Sequence, residues 1–529
     1  MKKIFIYDTT LRDGAQAAGI SFTADDKLKI AKALDGFGID YIEGGWPGSN
    51  QTDNDFFKKI QSVKFKKSVI TAFGSTRRKD IAADRDNNLN AIIKSKVRAA
   101  CIFGKTWDLH IIHALRTSLK ENLNMITESI RYLNSKKIKV IYDAEHFFDG
   151  FKANREYAVE TIKTVIQNNA VNVTLCDTNG ATLPDEVNEI ISSLIKELDT
   201  AFPGRKYNLG IHAHNDSDCA VANSVIAIQR GITLVQGTIN GIGERCGNAN
   251  LCSIIPAIEL KLKHRAIPEN NLIKITELSR YVSEVLNIIP DNTLPYVGAN
   301  AFAHKAGIHV SAVTKHSGTY EHVNPEKIGN TRKILISELS GRSNIISKVE
   351  ELKLDFAKDT KSTDKIIHII KKMEAEGYQF DEADGSFALT VHRALKARKP
   401  FFELKGFRVI IEKRGGDKRN EMYSEATLKI AVDGKIEHSA AEGDGPVNAL
   451  DNALRKALER FYPQLKEMSL TDFKVRVINA TGGTAAKVRV VIESRDKKNS
   501  WNTIGVSENI IEASWHALVD AIEYKLLKS

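Results

Sequence analysis

Short apolar runs with a two-residue period alternate with longer amphipathic stretches through the first half of the chain. Residues 4–7, 41–44, 68–73 and 99–103 read as strands, and 139–143, 171–176, 209–212 and 233–236 continue the series. Between them, residues 24–37, 124–135, 158–168 and 219–230 carry helical periodicity. Eight β-then-α units within roughly 260 residues is the arithmetic of a (β/α)8 TIM barrel, with a doubly wound sheet as the alternative. The barrel is preferred because polar residues follow several strands: Arg12 and Asp13, Glu145, Thr178, His212 and His214, and Asn248. A barrel gathers those strand ends at one mouth, whereas an open sheet spreads them along an edge.

Beyond the barrel the pattern turns helical, most clearly over residues 273–288 and 345–354, with a Gly- and His-rich stretch at 297–329 between them. The acidic segment 381–385 reads as a linker. The remainder carries a weak internal repeat of strand, turn and helix: 426–432 with 446–461, then 487–492 with 508–526. Leu450, Leu454, Leu458 and Phe461 line one helix face, and Ile511, Trp515, Leu518 and Ile522 line the other. The expected order is a barrel over residues 1–272, a helical linker subdomain over 273–380 and a C-terminal α/β regulatory domain over 386–529.

Composition narrows the class. With 42% hydrophobic and 27% charged residues, the chain excludes a disordered or collagen-like protein. Five cysteines, odd in number and without a CxxC pair, are expected as reduced thiols of a cytoplasmic protein. The first apolar run meets a charge too soon for a signal peptide, and no run of about 18 apolar residues is present to span a membrane. The formal charge of +10 is mild for 529 residues. Its basic clusters, 64–67 and 495–498, are short, with acidic residues recurring around them, so no nucleic-acid partner is expected.

The strongest chemical signal is His212-Ala213-His214-Asn215-Asp216. In a strand, i and i+2 face the same side, so two imidazoles and a carboxylate from elsewhere make a three-ligand metal site with open positions. The plain alternative is two polar residues at a strand end. Asp8-Thr9-Thr10-Leu11-Arg12-Asp13-Gly14-Ala15-Gln16 follows the first strand, so Asp13 can complete the set with Arg12 above it. Its alternative is a helix-capping Asp beside a surface Arg. Gly241-Ile242-Gly243-Glu244-Arg245-Cys246-Gly247-Asn248 would bring backbone N–H groups to the mouth, with Asn248 as a further oxygen ligand. Otherwise it only turns the chain.

These motifs, together with Asn300-Ala301-Phe302-Ala303-His304-Lys305-Ala306-Gly307-Ile308-His309, resemble the 2-isopropylmalate synthase, homocitrate synthase and citramalate synthase family over nearly the whole chain. The runs Glu43-Gly44-Gly45-Trp46-Pro47-Gly48-Ser49-Asn50 and Asp143-Ala144-Glu145-His146-Phe147-Phe148-Asp149-Gly150 are most similar to its citramalate branch, which condenses pyruvate with acetyl-CoA. The resemblance implies a divalent metal ion (Zn, Mn or Mg) held by Asp13, His212 and His214 with Asn248 close by. It implies that Arg12 and Glu145 act at the reacting carbons, and that Thr178 and Gln16 contact the substrate. Gly243, Glu244 and Asn250 would contact acetyl-CoA. His309 and Tyr320 would reach the mouth of a partner subunit in a homodimer, though Lys305 stands where relatives commonly carry an acid.

The C-terminal repeat resembles that family's regulatory domain. Its turn-rich runs, 443–448 and 480–484, would help bind a branched-chain amino acid, with isoleucine expected. Plainer roles compete with several of these assignments. Glu145 would merely pair with Arg12, His309 would sit structurally at a helix end, His146 would stand beside the site rather than bind metal, and Tyr320 would pack in the linker. Phe73 and Phe103, at the third and fourth strand ends, favour pyruvate over a branched 2-oxo acid. One methylene is worth about 1–3 kcal/mol in such a pocket, so 2-isopropylmalate synthase chemistry on 2-oxoisovalerate is the alternative. A barrel lyase and a basic nucleic-acid-binding protein are the remoter ones.

Overall fold

The computed structural model describes residues 1–336, 340–352, 354, 360–395, 400–413, 422–478 and 485–528. The run 480–484 singled out above lies outside them. The chain divides into two compact units, residues 1–302 with 323–331, and residues 303–322 with 332–529.

The first unit is a closed barrel of eight parallel strands in sequence order. The strands are β1 (Phe5–Asp8), β2 (Tyr41–Glu43), β3 (Val69–Ser75), β4 (Ala99–Lys105), β5 (Lys139–Glu145), β6 (Asn172–Asp177), β7 (Leu209–Ala213) and β8 (Leu234–Gly237). β8 pairs back onto β1, with Phe5 opposite Leu234 and Asp8 opposite Gly237. The helices of the layer outside are α1 (Ala24–Phe37), α2 (Gln51–Lys59), α3 (Asn87–Lys94), α4 (Leu119–Ser135), α5 (Phe147–Ala153), α6 (Arg155–Gln167), α7 (Pro184–Ala201), α8 (Ala220–Gln229), α9 (Leu251–Pro256) and α10 (Ile275–Val285).

The two-residue period sorts the strand side chains into two cores. Ile6, Ile70, Ala72, Ile102, Val140, Val173, Leu175, Ile211 and Val235 belong to the large cluster shared with the helices. Their alternates, Tyr7, Phe73, Cys101, Ile141 and Leu234, form a separate small cluster inside the barrel. The remaining inward positions carry buried polar groups, among them Glu43, Thr71, Asp143, Thr174, His212 and Gln236.

Helix boundaries follow caps more than hydrophobic periodicity. α1 spans the expected residues because Thr23 and Asp26 form a reciprocal capping box and Gly38 ends the helix at φ +102°. α4 starts five residues before the apolar pattern does, because the Ser118 hydroxyl accepts from Glu121 N. β4 and β5 each run two residues past their expected ends, which places Lys105 and Glu145 within strands.

Between α1 and α2 lies a buried ion pair. Lys27 pairs with Asp53 and also donates to Gly44 O at 3.1 Å, while Asp53 Oδ2 accepts from Trp46 N at 2.8 Å. This pair fixes the loop that follows β2.

In the second unit, β9 (Ala303–His304) pairs with β10 (Lys333–Ile334) beside α11 (Gly307–Lys315), α12 (Arg342–Glu351), α13 (Thr360–Ala375) and α14 (Asp384–Ala394). The acidic segment expected as a linker is instead a 3-10 turn, Phe380–Glu382, followed directly by α14. Phe380, Ala383, Gly385 and Phe387 are buried there, so its acids mark a helix start rather than an open joint.

The repeat is fuller than one strand and one helix per half. β11 (Glu403–Lys413), β12 (Met422–Val432) and β13 (Lys435–Gly443) form an antiparallel sheet with α15 (Pro446–Leu458). β14 (Ser469–Val477), β15 (Val488–Arg495) and β16 (Ser500–Ser507) form a second with α16 (Ile510–Lys528). Leu450, Leu454, Leu458, Trp515 and Ile522 are buried together, and Leu518 packs with Val490 and Ile492. β11 and β14 were not among the expected strands, although Phe473, Val475 and Val477 alternate with Lys474 and Arg476; in the structure both strands are largely exposed. Among the described residues no helix is long and apolar enough to cross a membrane.

Removing Asp53 would leave the Lys27 ammonium buried without its partner, which costs about 3–5 kcal/mol. Asp53→Ala is therefore expected to lower the thermal unfolding midpoint, and adding Lys27→Met to recover part of the loss. An unchanged midpoint in Asp53→Ala would show that the pair carries no net stability.

Candidate active site

The loop after β1 is built around a buried carboxyl. Asp8 accepts from Thr10 N and Thr10 Oγ1, both at 2.9 Å, and Thr10 Oγ1 accepts from Ile239 N at 2.9 Å. Burial pushes Asp8 up to about 7, although the Thr10 hydrogen bonds pull the other way. The turn brings Arg12 and Asp13 over the strand ends, with Asp13 N donating to Thr9 O at 2.8 Å.

Arg12 is held on three sides. Its Nε donates to Glu43 Oε1 at 2.6 Å, its Nη1 to Asp13 Oδ1, and its guanidinium lies 3.9 Å from the Phe73 ring centroid. Glu43 is fixed in turn, its Oε2 accepting from the Tyr7 hydroxyl at 2.5 Å. Burial raises the Glu43 carboxyl while Arg12 opposes that rise. For Asp13, burial alone would also act upward, but Arg12 and the His212 and His214 imidazoles outweigh it and hold the carboxyl below its ordinary range.

His212 Nε2 lies 3.8 Å from Asp13 Oδ2. Its Nδ1 faces Gln236 Oε1 at 2.8 Å, and Gln236 Nε2 donates to Asp143 Oδ1 at 2.7 Å and Thr174 Oγ1 at 3.1 Å. The His212 and His214 rings are 5.1 Å apart, and His214 forms a backbone bridge with Asn248. Burial, then the neighbouring His212, pushes His214 down to about 3, so its imidazole is neutral near pH 7.

Asp13 Oδ2, His214 Nδ1 and Asn248 Oδ1 are all buried without a hydrogen-bond partner. Unsatisfied buried polar atoms are costly, and a bound cation is one way to satisfy such groups. Among the described residues no three His, Cys, Asp or Glu side chains already form a metal-holding group. Arg12 lies against Asp13, and one of the donors is a carboxamide. The donor types nevertheless fit a divalent cation: one carboxylate, two imidazoles and an amide oxygen.

Phe73 and Phe103 stack at 5.4 Å, and Trp46 stands edge-on to both at 5.5 and 5.7 Å. The Trp46 indole donates from Nε1 to Asn88 Oδ1 at 2.7 Å. Arg12, Gln16, Trp46 and Asn50 line a cleft of about 310 Å³, in which Gln16 is exposed. A larger groove, about 860 Å³ between α2 and α3, touches none of the expected site residues.

Other expectations change in detail. Glu145 pairs with Lys105 rather than with Arg12, whose carboxylate partners are Glu43 and Asp13. Thr178 Oγ1 accepts from His146 N at 2.9 Å, and His146 Nδ1 lies 3.1 Å from Asp149 Oδ2. The glycine loop does not offer all its amides to a ligand. Gly247 N donates to Glu244 O and Asn248 N to Gly241 O, both at 2.9 Å. Its glycines permit close approach instead: a Cβ on Gly243 would stand 2.4 Å from Asn248 Nδ2. Glu244 is exposed and pairs with Arg245, while Asn250 Oδ1 caps α9 through Cys252 N at 2.9 Å. Arg245 also holds Asp216 and donates to Thr178 O at 2.8 Å, tying three strand-end loops together. His309 and Tyr320 belong to the second unit, with ring centroids 4.2 Å apart and both side chains exposed.

Glu43, Gln236, Trp46, Lys105 and Arg245 were not among the expected site residues. Gln236, a carboxamide ending the apolar run Leu234-Val235, carried a signal in the sequence, as did Lys105 once β4 is extended to its true end.

Comparison with known proteins gives three matches along the chain. The HMGL-like model matches residues 3–282, the homocitrate synthase post-HMGL domain-like model 296–378, and the LeuA allosteric (dimerisation) domain model 382–526. The (R)-citramalate synthase of Geobacter sulfurreducens is 54% identical over 529 residues, covering 100% of this chain and 98% of the relative. That of Aquifex aeolicus is 52% identical over 527 residues, with the same coverage of 100% and 98%. The 2-isopropylmalate synthase of Halalkalibacterium halodurans is 31% identical over 525 residues, covering 99% and 96%.

Gly247 has φ +89°, and a Cβ there would stand 2.0 Å from Gly241 O. Gly19 has φ +78° with nothing within 4 Å. Gly19→Ala should cost about 1–2 kcal/mol of backbone strain, and Gly247→Ala clearly more, read as a larger drop in thermal midpoint. Equal drops would show that the close approach is unimportant.

Proposed function

Because the chain belongs to the HMGL-like family and, within it, to the (R)-citramalate synthases, we propose that it condenses acetyl-CoA with pyruvate and hydrolyses the thioester, giving (R)-citramalate and CoA. The observation that carries this reading is the cluster of unpartnered buried donors on Asp13, His214 and Asn248 beside His212, with Arg12 locked above it. Asp13, His212, His214 and Asn248 would hold a divalent ion (Zn, Mn or Mg), which supplies Lewis acidity toward the oxygens of a 2-oxo acid.

The chain's own residues do the rest. Arg12 sets a fixed positive charge where the ketone oxygen becomes an alkoxide, and Glu43 and Phe73 keep that charge from swinging away. Thr178 Oγ1 accepts from a backbone amide, which leaves its hydroxyl proton for the oxo-acid carboxylate. A base takes a proton from the acetyl methyl, and the resulting carbon forms the new C–C bond to the ketone carbon. The alkoxide then takes up a proton, and water cleaves the C–S bond to release the thiol of CoA. Glu145, oriented by Lys105, is one candidate base, and the His309–Tyr320 pair of a partner subunit is the other. Gln16 contacts substrate, and Gly243 and Glu244 line the rim for acetyl-CoA. Asn250 contributes by capping α9.

Pyruvate is favoured over 2-oxoisovalerate because Trp46, Phe73 and Phe103 crowd the ends of β2, β3 and β4. The difference between 54% and 31% identity supports the same choice. A homodimer joined through the second unit is supported by the dimerisation-domain match and by exposed Leu470, Phe473, Val475 and Val477 on β14. Isoleucine is the effector that fits a pathway beginning with citramalate, and five unpaired thiols support residence in the cytoplasm.

Thiol release from acetyl-CoA, followed over a panel of 2-oxo acids, tests this reading. Pyruvate should give the highest kcat/KM, chelator should abolish turnover, and isoleucine should inhibit more than leucine. Preference for 2-oxoisovalerate would overturn the acceptor assignment. In the same assay Arg12→Lys, which loses the planar fork, should lower kcat by about a hundredfold or more. Near-wild-type kcat would remove Arg12 from the chemistry.

A further inference from the structure

Gln236 is a buried carboxamide on β8 whose two ends are both committed. Its Nε2 lies 2.7 Å from Asp143 Oδ1 and 3.1 Å from Thr174 Oγ1. The Thr174 hydroxyl spends its own proton on Asn172 Oδ1 at 3.2 Å, so toward Gln236 it can only accept. A carboxamide nitrogen donates two protons and accepts none, so these two acceptors fix which end of Gln236 is the NH2. The other end, Oε1, must face His212 Nδ1 at 2.8 Å, and an amide oxygen can only accept. His212 therefore carries its proton on Nδ1. In the neutral imidazole the lone pair is then on Nε2, the nitrogen that lies 3.8 Å from Asp13 Oδ2.

We propose that Gln236 is the positioning residue that holds His212 in the tautomer and orientation able to bind a cation, through a chain running from β6 and β5 across β8 to β7. This rests on the reading of Asp13, His212, His214 and Asn248 as metal donors. An imidazole free to rotate or to move its proton to Nε2 would present an N–H where a ligand needs a lone pair. Three strands contribute to orienting one ring. The alternation that sends Asp143, Thr174, His212 and Gln236 inward is what brings them into contact. Gln236 touches no reacting atom and acts through His212 alone.

Mn²⁺ binding to the full-length chain, read from loss of the free-ion electron paramagnetic resonance signal, tests the inference without turnover. Gln236→Met keeps the volume and removes the acceptor, and it should weaken Mn²⁺ binding by about 10–100-fold. Its kcat should recover at saturating Mn²⁺, which a variant with a damaged fold would not do. Gln236→Glu keeps an oxygen facing Nδ1 and can share a proton with Asp143, so it should restore affinity to within about threefold of wild type. Mn²⁺ affinity unchanged in Gln236→Met would overturn the inference. If the wild-type chain bound neither Mn²⁺ nor Zn²⁺, the metal reading would fall, and this inference with it. Should Gln236→Met not fold by circular dichroism, neutron diffraction from the metal-free wild-type protein decides. A deuteron on Nδ1 of His212 supports the inference, and one on Nε2 refutes it.

Discussion

A barrel interior is a poor place for charge, and this one holds an arginine against a group of buried carboxyls. Moving one such ion out of water without a partner costs several kcal/mol, so every charge near the strand ends is committed to another group. Arg12 faces Glu43 and Asp13 and lies on Phe73, and Glu43 in turn takes the Tyr7 hydroxyl. Asp143 takes the Gln236 amide, and Asp8 folds back on Thr10. The atoms left over, Asp13 Oδ2, His214 Nδ1 and Asn248 Oδ1, stand out because nearly everything around them is spoken for. The need to pair buried charge shapes the site more than any single motif does.

The same constraint separates the two roles of the barrel wall. Outward positions, from Ile6 to Val235, pack the helices and make the unit stable. Inward positions carry the polar chain in layers, with the Tyr7, Cys101, Ile141 and Leu234 cluster closing the interior off. Because one strand serves both purposes on alternate residues, a side chain that orients a ligand is anchored by neighbours that hold the core. Gln236 lies between Val235, in the helix-facing core, and Gly237, where a Cβ would meet Ala249 O at 2.4 Å.

The eight strands were legible because short apolar runs recur at regular spacing, and the His212–His214 pair was legible because two-residue spacing has one geometric meaning in a strand. Glu43 was harder to assign. A carboxylate after Tyr41-Ile42 reads equally well as a strand end facing water, and its partner Arg12 lies 31 residues away. Gln236 depends on Asp143, 93 residues distant, a contact that no local pattern announces. The acidic segment at 381–385 misled because acids favour loops and helix N-termini alike, and only the burial of Phe380 and Phe387 separates the two. β14 was legible as well, since Phe473, Val475 and Val477 alternate with Lys474 and Arg476, but it was not among the expected strands.

The closure of the barrel between β8 and β1 also bears on how the protein comes into being. Asp13 arrives with the first strand, whereas His212, His214 and Asn248 belong to the seventh strand and the loop beyond the eighth. Thr10 meets Ile239 at a sequence separation of 229. Contacts of such separation form late, after the entropy of closing the long loop has been met. During synthesis, a ribosome-bound chain stopped before β7 would lack both imidazoles, so a cation has nothing to gather until the ring is nearly complete. The four residues proposed to hold a cation therefore come together only once the two ends of the barrel have found each other.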